Sequence, residues 1–328
     1  MKALPSLRQL RYLDALARER HFGRAAERCA VTQSSLSGGI QELEALLEAQ
    51  LVERTKRRVA LTPLGEEIVQ RARRVLVEAE HLADLAAAAR EPLTGRLRMG
   101  VIPTIAPFLL PRLLPELRRA YPRLQLFLKE DLTARLVDDL RAGVLDVLLI
   151  ALPYDCGEVE TSILFDDAFQ LACHKDHPLA RSEQVPLDAV PADSLFLLQD
   201  GHCLREHALS ACDMGGDRHQ QSFEATSLHT LVQMVDNRLG ITLLPQLAID
   251  AGILDGTDTV VRAIAGEPQQ RQIGLVWRSQ SGRNRELRML ADFLTEAHAA
   301  LVGGVSVGGT AQGAASIPVQ AGGKGGGT

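Results

Sequence analysis

Leu7, Leu10, Leu13 and Ala17 recur at helical spacing, which predicts an amphipathic helix over residues 5–20. Residues 22–30 predict a second, shorter helix, and Val31-Thr32 a turn. Residues 33–44 predict a third helix with Leu36, Ile40 and Leu43 facing inward. Two short helices joined by a tight turn form a helix-turn-helix, whose second helix fits the major groove of double-stranded DNA. Residues 51–62 read as a hairpin with a basic tip, a wing suited to phosphate contacts. From Leu64 to Ala86 apolar residues return at three- and four-residue steps, predicting one long linker or dimerisation helix over 64–91. Beyond Gly95 the pattern alternates. Strands are expected at 96–102 and 124–130, helices at 107–120 and 134–142. An apolar run over 144–151 has the character of a buried parallel strand. This alternation continues to about residue 301 and implies an α/β body of two lobes. Residues 303–328 hold ten glycines and almost no core residues, the composition of a disordered tail.

Charge sharpens this division. Residues 1–62 carry eleven Lys/Arg and seven Asp/Glu, a balance of +4; the whole chain is −5, so the remainder is −5 − 4 = −9. A basic head on an acidic body fits a nucleic-acid reader. With 328 residues, 46% of them hydrophobic and 23% charged, the chain can bury real cores. It has no apolar run of membrane-spanning length and no secretory leader pattern. The five cysteines (29, 156, 173, 203 and 212) are odd in number and irregularly spaced, which fits a reducing cytoplasm better than a disulfide scaffold. Cys29, Cys156 and Cys173 read as small buried hydrophobes.

Cys203 and Cys212 differ. The stretch 200–212 reads as a short helix capped by Asp200 and ended by Met214-Gly215-Gly216. Nine residues of helix rise about 13 Å and turn the second cysteine to the far side. A disulfide tolerates Cα atoms at most about 7 Å apart. A bond between them therefore requires the helix to unwind, so oxidation would act as a conformational switch. Cys203 falls in the first turn with His202 and Arg205 nearby, where a thiolate is favoured. Cys203 and His207, with Cys212 and His219 further on, match no common zinc spacing, so no metal or other cofactor is expected.

Phe22-Gly23-Arg24-Ala25-Ala26, Thr32-Gln33-Ser34-Ser35-Leu36-Ser37 and Ile40-Gln41-Glu42-Leu43-Glu44 resemble the head of a LysR-type transcriptional regulator. His177-Pro178-Leu179-Ala180 and Gly240-Ile241-Thr242-Leu243-Leu244-Pro245 resemble that family's effector domain. Asp200-Gly201-His202-Cys203-Leu204-Arg205 with Cys212 resembles its peroxide-sensing branch, as do Ile102-Pro103-Thr104, residues 223–228 and Ile273-Gly274-Leu275-Val276. The resemblance covers residues 5 to about 300. It implies a winged helix-turn-helix over 1–62, a linker helix over 63–92 and a two-lobed, periplasmic-binding-protein-like α/β effector domain over 95–301. Lobe I would be about 95–166 and 271–301, lobe II about 167–270, and 302–328 the tail.

The resemblance implies that hydrogen peroxide oxidises Cys203 and that Cys212 resolves it. Thr104, Thr133, His202 and Arg271 would line the peroxide pocket. Thr104 and Thr133 also suit the plainer roles of helix cap and turn residue. Gln33, Ser34, Ser35 and Ser37 would meet bases or phosphates, and Arg54, Lys56, Arg57 and Arg58 the backbone at the wing. Implied partners are double-stranded DNA, RNA polymerase and a second copy or three further copies of the chain, with no membrane. Three departures stand out. The family usually has a glycine near position 48, where this chain has Glu48; Gly38 and Gly39 are expected to weaken the third helix by up to about 1 kcal/mol each; and Gln41-Glu42 stand where the peroxide-sensing branch tends to be basic. Two other readings use the same residues. One is a regulator taking a small organic effector between the lobes; the other is a thiol-dependent peroxidase, an enzyme, fused to a DNA-binding head.

Overall fold

The computed structural model describes residues 4–55, 58–88, 91–186, 190, 194–199, 204, 225–266 and 269–303. The head opens with α1 (Leu7–Glu19), started by a reciprocal capping box between Ser6 and Gln9. After α2 (Phe22–Arg28), Thr32 caps α3 (Gln33–Leu47) by accepting from the Ser35 amide. Leu13, Leu16, Leu36, Ile40 and Leu43 are buried together as the head core. Gly39 of α3 packs against Tyr12 of α1: a Cβ there would stand 2.7 Å from the Tyr12 ring. Glycine at 39 is thus a packing requirement rather than a simple weakness, while a Cβ at Gly38 would meet only open space. Glu48 ends α3 at φ 51°, a left-handed conformation in which glycine is the unstrained residue.

Strands β1 (Val52–Thr55) and β2 (Arg58–Leu61) form the antiparallel wing, with Thr55 opposite Arg58. Thr62 then starts α4 (Pro63–Ala88) by accepting from the Gly65 amide at 2.9 Å. Val69 joins the head core, so the helix is anchored at its first turns. Leu64, Val75 and Leu82 leave it exposed at 45, 48 and 71%. Arg98 reaches back from the body to Glu80 of this helix at 2.7 Å.

The body is built on one nine-stranded sheet. Its first half runs in parallel: β4 (Leu124–Glu130) beside β3 (Gly95–Val101), and β3 beside β5 (Val147–Leu152). The predicted strand at 144–151 begins later, at Val147. Gly143 turns at positive φ, Val144 is 43% exposed, and the buried Asp146 carboxylate accepts from the Arg98 amide. On its other side β5 meets β11 (Gln270–Arg278) antiparallel, so the buried run is parallel to one neighbour only. Helices α5 (Ala106–Ala120) and α6 (Thr133–Arg141) follow β3 and β4.

The long β6 (Val159–His174) joins the two halves. Through Ala168 it pairs with β11; from Phe169 it pairs with β9 (Ile241–Pro245), and from Leu171 with β10 (Thr259–Ile264). Short β7 (Gln184–Val185) and β8 (Leu195–Phe196) extend this second half. Helices α7 (Leu228–Asp236), α8 (Gln246–Asp250) and α9 (Asn284–Gly303) complete the described body. Residue 302 is still helical, so the chain leaves regular structure later than expected. The tail beyond Gly303 lies outside the described residues. No described helix is long and apolar enough to cross a membrane.

Candidate functional site

Val101 and Glu130 are register partners on neighbouring parallel strands, and Thr104 and Thr133 each lie three residues further on. The same chain direction and loop length bring both to one end of the sheet. Ligands of open α/β sheets gather beyond the carboxyl ends of such strands. Both threonines are buried, at 2 and 1% exposure. Neither caps a helix through its side chain: Ile105 and Leu132 hold the cap positions of α5 and α6, and no side-chain cap bond forms at either. The helix-cap role therefore accounts for neither hydroxyl, although Thr104 does lie in the turn before α5, which the Ile105 amide closes by donating to the Ile102 carbonyl.

Arg271 accounts for one of them. It enters from β11, fully buried, and donates from Nη1 to Thr104 Oγ1 at 2.8 Å and from Nη2 to the Thr104 carbonyl at 3.1 Å. Its Nε and Nη2 donate to Asp167 Oδ2 at 3.0 and 2.9 Å. Because Thr104 Oγ1 accepts from a cation, its own O–H is left to donate. Thr133 Oγ1 is buried with no hydrogen-bond partner among the described residues. A buried hydroxyl without a partner is uncommon and calls for a ligand, a water or a neighbouring side chain.

The sequence reading missed Asp167. Its signal was available: Asp167, Phe169, Leu171 and Cys173 alternate as the buried face of β6, so a carboxylate sits in an apolar phase. His202, Cys203 and Cys212 lie outside the described residues, as do Asp200, His207, His219 and, apart from Leu204, the predicted helix over 200–212. Their immediate frame is described. Leu198 bridges to Ala225, and the Gln199 amide donates to the Ala225 carbonyl at 2.9 Å, so the chain leaves and returns at one place. Leu204, next to Cys203, is buried at 3% exposure within the main body core.

The other three cysteines are free. Cys156 and Cys173 are buried and Cys29 half-buried, and burial pushes all three thiols above their ordinary pKa. Little thiolate forms at such sites, so they make poor nucleophiles.

On the head, Gln33, Ser34 and Ser35 are exposed along the first turn of α3, and Ser37 is half-buried. Thr32 Oγ1 lies 3.0 Å from Ser34 Oγ and 2.8 Å from Ser35 Oγ, so cap and hydroxyls form one cluster. Arg54 and Arg58 belong to the two wing strands; Lys56 and Arg57, at the tip, lie outside the described residues. This surface and the threonine–arginine site belong to separate parts of the molecule. A cavity of about 890 Å³ opens between α1, α4 and the body, bordered by Arg11, Arg73 and Arg98, away from both.

Residues 7–66 match the family model for the bacterial regulatory helix-turn-helix protein, lysR family, and residues 90–299 that for the LysR substrate binding domain. The chain belongs to the LysR family of DNA-binding transcriptional regulators. It is 44% identical over 302 residues to the HTH-type transcriptional regulator EstR of Acinetobacter baylyi, covering 92% of this chain and 100% of that one. It is 40% identical over 287 residues to the DNA-binding transcriptional dual regulator OxyR of Escherichia coli, covering 88 and 94%. Among solved structures, full-length OxyR of Pseudomonas aeruginosa bearing a Cys-to-Asp substitution aligns with TM-score 0.73 and 38% identity, covering 89 and 95%. A hydrogen-peroxide-bound Cys-to-Ser mutant of Corynebacterium glutamicum OxyR aligns with TM-score 0.64 and 34% identity, covering 94 and 98%. The curled, two-part sheet of the body is thus that of an OxyR-like effector domain.

Proposed function

We propose that this chain is a peroxide-responsive transcriptional regulator acting in the cytoplasm. Residues 1–62 read DNA, 63–92 pair with a second copy, and 95–301 sense the oxidant in two lobes. The observation that carries the reading is the pair of buried threonines: among the described residues, one accepts from Arg271 and keeps its O–H to donate, and the other has no partner. Two hydroxyls that donate and accept, beside a fixed cation, suit a small molecule that is itself donor and acceptor at both ends.

In this reading Cys203 thiolate attacks one oxygen of HOOH and the O–O bond breaks. The departing oxygen leaves as hydroxide and takes a proton, giving water and a sulfenic acid on Cys203. Thr104, Thr133, His202 and Arg271 hold peroxide in line and stabilise the charge developing on the leaving oxygen. Cys212 then attacks the sulfenic sulfur, a second water departs, and the disulfide forms. Two electrons have passed from sulfur to peroxide. Closing that bond refolds residues 203–222 and shifts the lobes. Gln33, Ser34, Ser35 and Ser37, with wing residues Arg54, Lys56, Arg57 and Arg58, engage the operator, and RNA polymerase is recruited. The exposed Leu64, Val75 and Leu82 on α4 suit burial against another copy, as a dimer or within a tetramer.

The match of residues 90–299 to the LysR substrate binding domain leaves a second reading, in which a small organic effector binds between the lobes and the cysteines are incidental. Peptide mass spectrometry without reductant, after about one equivalent of peroxide, separates the two. The peroxide reading expects a Cys203–Cys212 cross-link that forms fast and selectively and is lost in Cys203→Ser. If both thiols stay free while operator binding persists, the effector reading takes its place.

A further inference from the structure

Asp167 and Arg271 are register partners on β6 and β11, at the last rungs before β6 turns to its second set of neighbours. Their side chains are 2 and 0% exposed. Oδ2 of Asp167 accepts from Nε and Nη2 of Arg271, while Oδ1 accepts from the Leu247 amide at 2.9 Å. Leu247 lies in the first turn of α8, in the second half of the body. The carboxylate is therefore fixed from both sides. On the opposite side of the same guanidinium, two bonds run to one residue, Thr104, through its hydroxyl and its carbonyl.

A guanidinium has five N–H groups. Nε, both of Nη2 and one of Nη1 are engaged in these bonds, which among the described residues leaves one N–H on the nitrogen that holds the Thr104 hydroxyl. An ion pair serving only to join the strands would need none of the Thr104 contacts. We propose that Asp167 is a positioning residue: it fixes the rotation of Arg271, and through Arg271 aims the Thr104 hydroxyl and the remaining N–H at the reacting peroxide. This rests on the peroxide reading above. Asp167 does not itself touch peroxide, and no proton passes through it.

The test uses the reduced full-length protein and follows Cys203 by quenched-flow peptide mass spectrometry with two reagents. Hydrogen peroxide needs its leaving oxygen handled; iodoacetamide needs only the thiolate. In Asp167→Asn the peroxide rate constant is expected to fall roughly 10- to 100-fold, because a misplacement near 1 Å costs that much, with alkylation changed less than about 2-fold. Adding Thr104→Val to Asp167→Asn should cost far less than Thr104→Val alone, since the two act in series. Equal losses with both reagents, full additivity, or no loss would overturn the proposal. Should Asp167→Asn fail to fold, Asp167→Glu keeps the charge and displaces it by one methylene. A loss of at least about 3-fold confined to peroxide is then expected, and an unchanged rate overturns the idea. If Cys203 in the unmodified chain ignores peroxide, the peroxide reading falls and Asp167 with it; a responsive parent with an equally fast Asp167→Asn removes Asp167 alone.

Discussion

The head and the body solve the same packing problem with different materials. Among the described residues, every buried polar or charged side chain lies at position 104 or beyond, including Asp146, Asp167, Arg271, Arg283 and Glu286. The head core is apolar throughout, and the head's polar groups stand outside on α3 and the wing. A DNA reader works at its surface, so its interior only has to be rigid. A sensor for a very small polar molecule must keep donors and acceptors inside, and each must be satisfied or reserved for the ligand. The fold carries that burden by pairing: Arg271 with Asp167, and Arg283 with Glu286, whose Oε1 also accepts from the Leu93 amide.

This contrast can be broken most severely in the body. Arg271→Met leaves Asp167 buried without its cation, and losing one partner of a buried pair costs about 3–5 kcal/mol. The chain's one tryptophan, Trp277, is buried in the body, so its fluorescence in urea reports body unfolding. A change below about 1 kcal/mol would mean the pair is worth no more than an exposed one. In the head the corresponding insult is steric. Gly39→Ala drives a Cβ toward the Tyr12 ring and should cost about 1–3 kcal/mol, seen as loss of operator binding with the Trp277 transition unmoved. Gly38→Ala, made as a control, should be tolerated.

The smallest effect concerns pH. His298 stacks on Phe165 with ring centroids 3.5 Å apart, and burial holds its pKa below the ordinary histidine value. Asp167 and Asp250 pull the other way, and Arg112 adds to the lowering. The folded body therefore prefers neutral His298, while the unfolded chain takes up the proton first as pH falls. Stability contributed here is present above the ordinary histidine value of 6.5 and is lost as pH drops from there toward the lowered folded pKa. The body's melting temperature should decline over that interval, and His298→Phe should flatten the decline. A slope identical in the variant would exclude His298 as its source.

Much of this was legible from periodicity. Helical steps placed α1, α3 and α4, and alternation placed β3 to α6, because a single buried face leaves a regular trace. Leu36, Ile40 and Leu43 are the buried face of α3, as read. Three things were not legible, each for a physical reason. Gly39 looked like a weak point because its need arises from Tyr12, 27 positions earlier in the chain (39 − 12). The strand over 144–151 looked longer because Val144 continues the apolar run, while Gly143 and Asp146 control the turn through three-dimensional contacts. Asp167 showed its buried phase on β6 but not its role, because its partners, Arg271 and Leu247, lie 104 and 80 residues away. Thr104, Thr133 and Arg271 entered through resemblance; their burial and the Arg271–Thr104 bonds emerge only in three dimensions.

Leu204 carries one more consequence. It is seated in the main core at 3% exposure, one peptide bond from the thiol assigned to peroxide. In the proposed switch, travel of that sulfur toward Cys212 would tug at this seat, and withdrawing a leucine from a packed core costs roughly 2–5 kcal/mol. If the proposed disulfide forms, the side chain would be ballast on the reduced state. In a two-electron couple 1.4 kcal/mol corresponds to about 30 mV, so a full withdrawal would set the midpoint higher by several tens of millivolts. A plain aliphatic group, with no redox chemistry of its own, would thus help decide how much oxidant is needed before the alarm sounds, and how readily it is silenced afterwards.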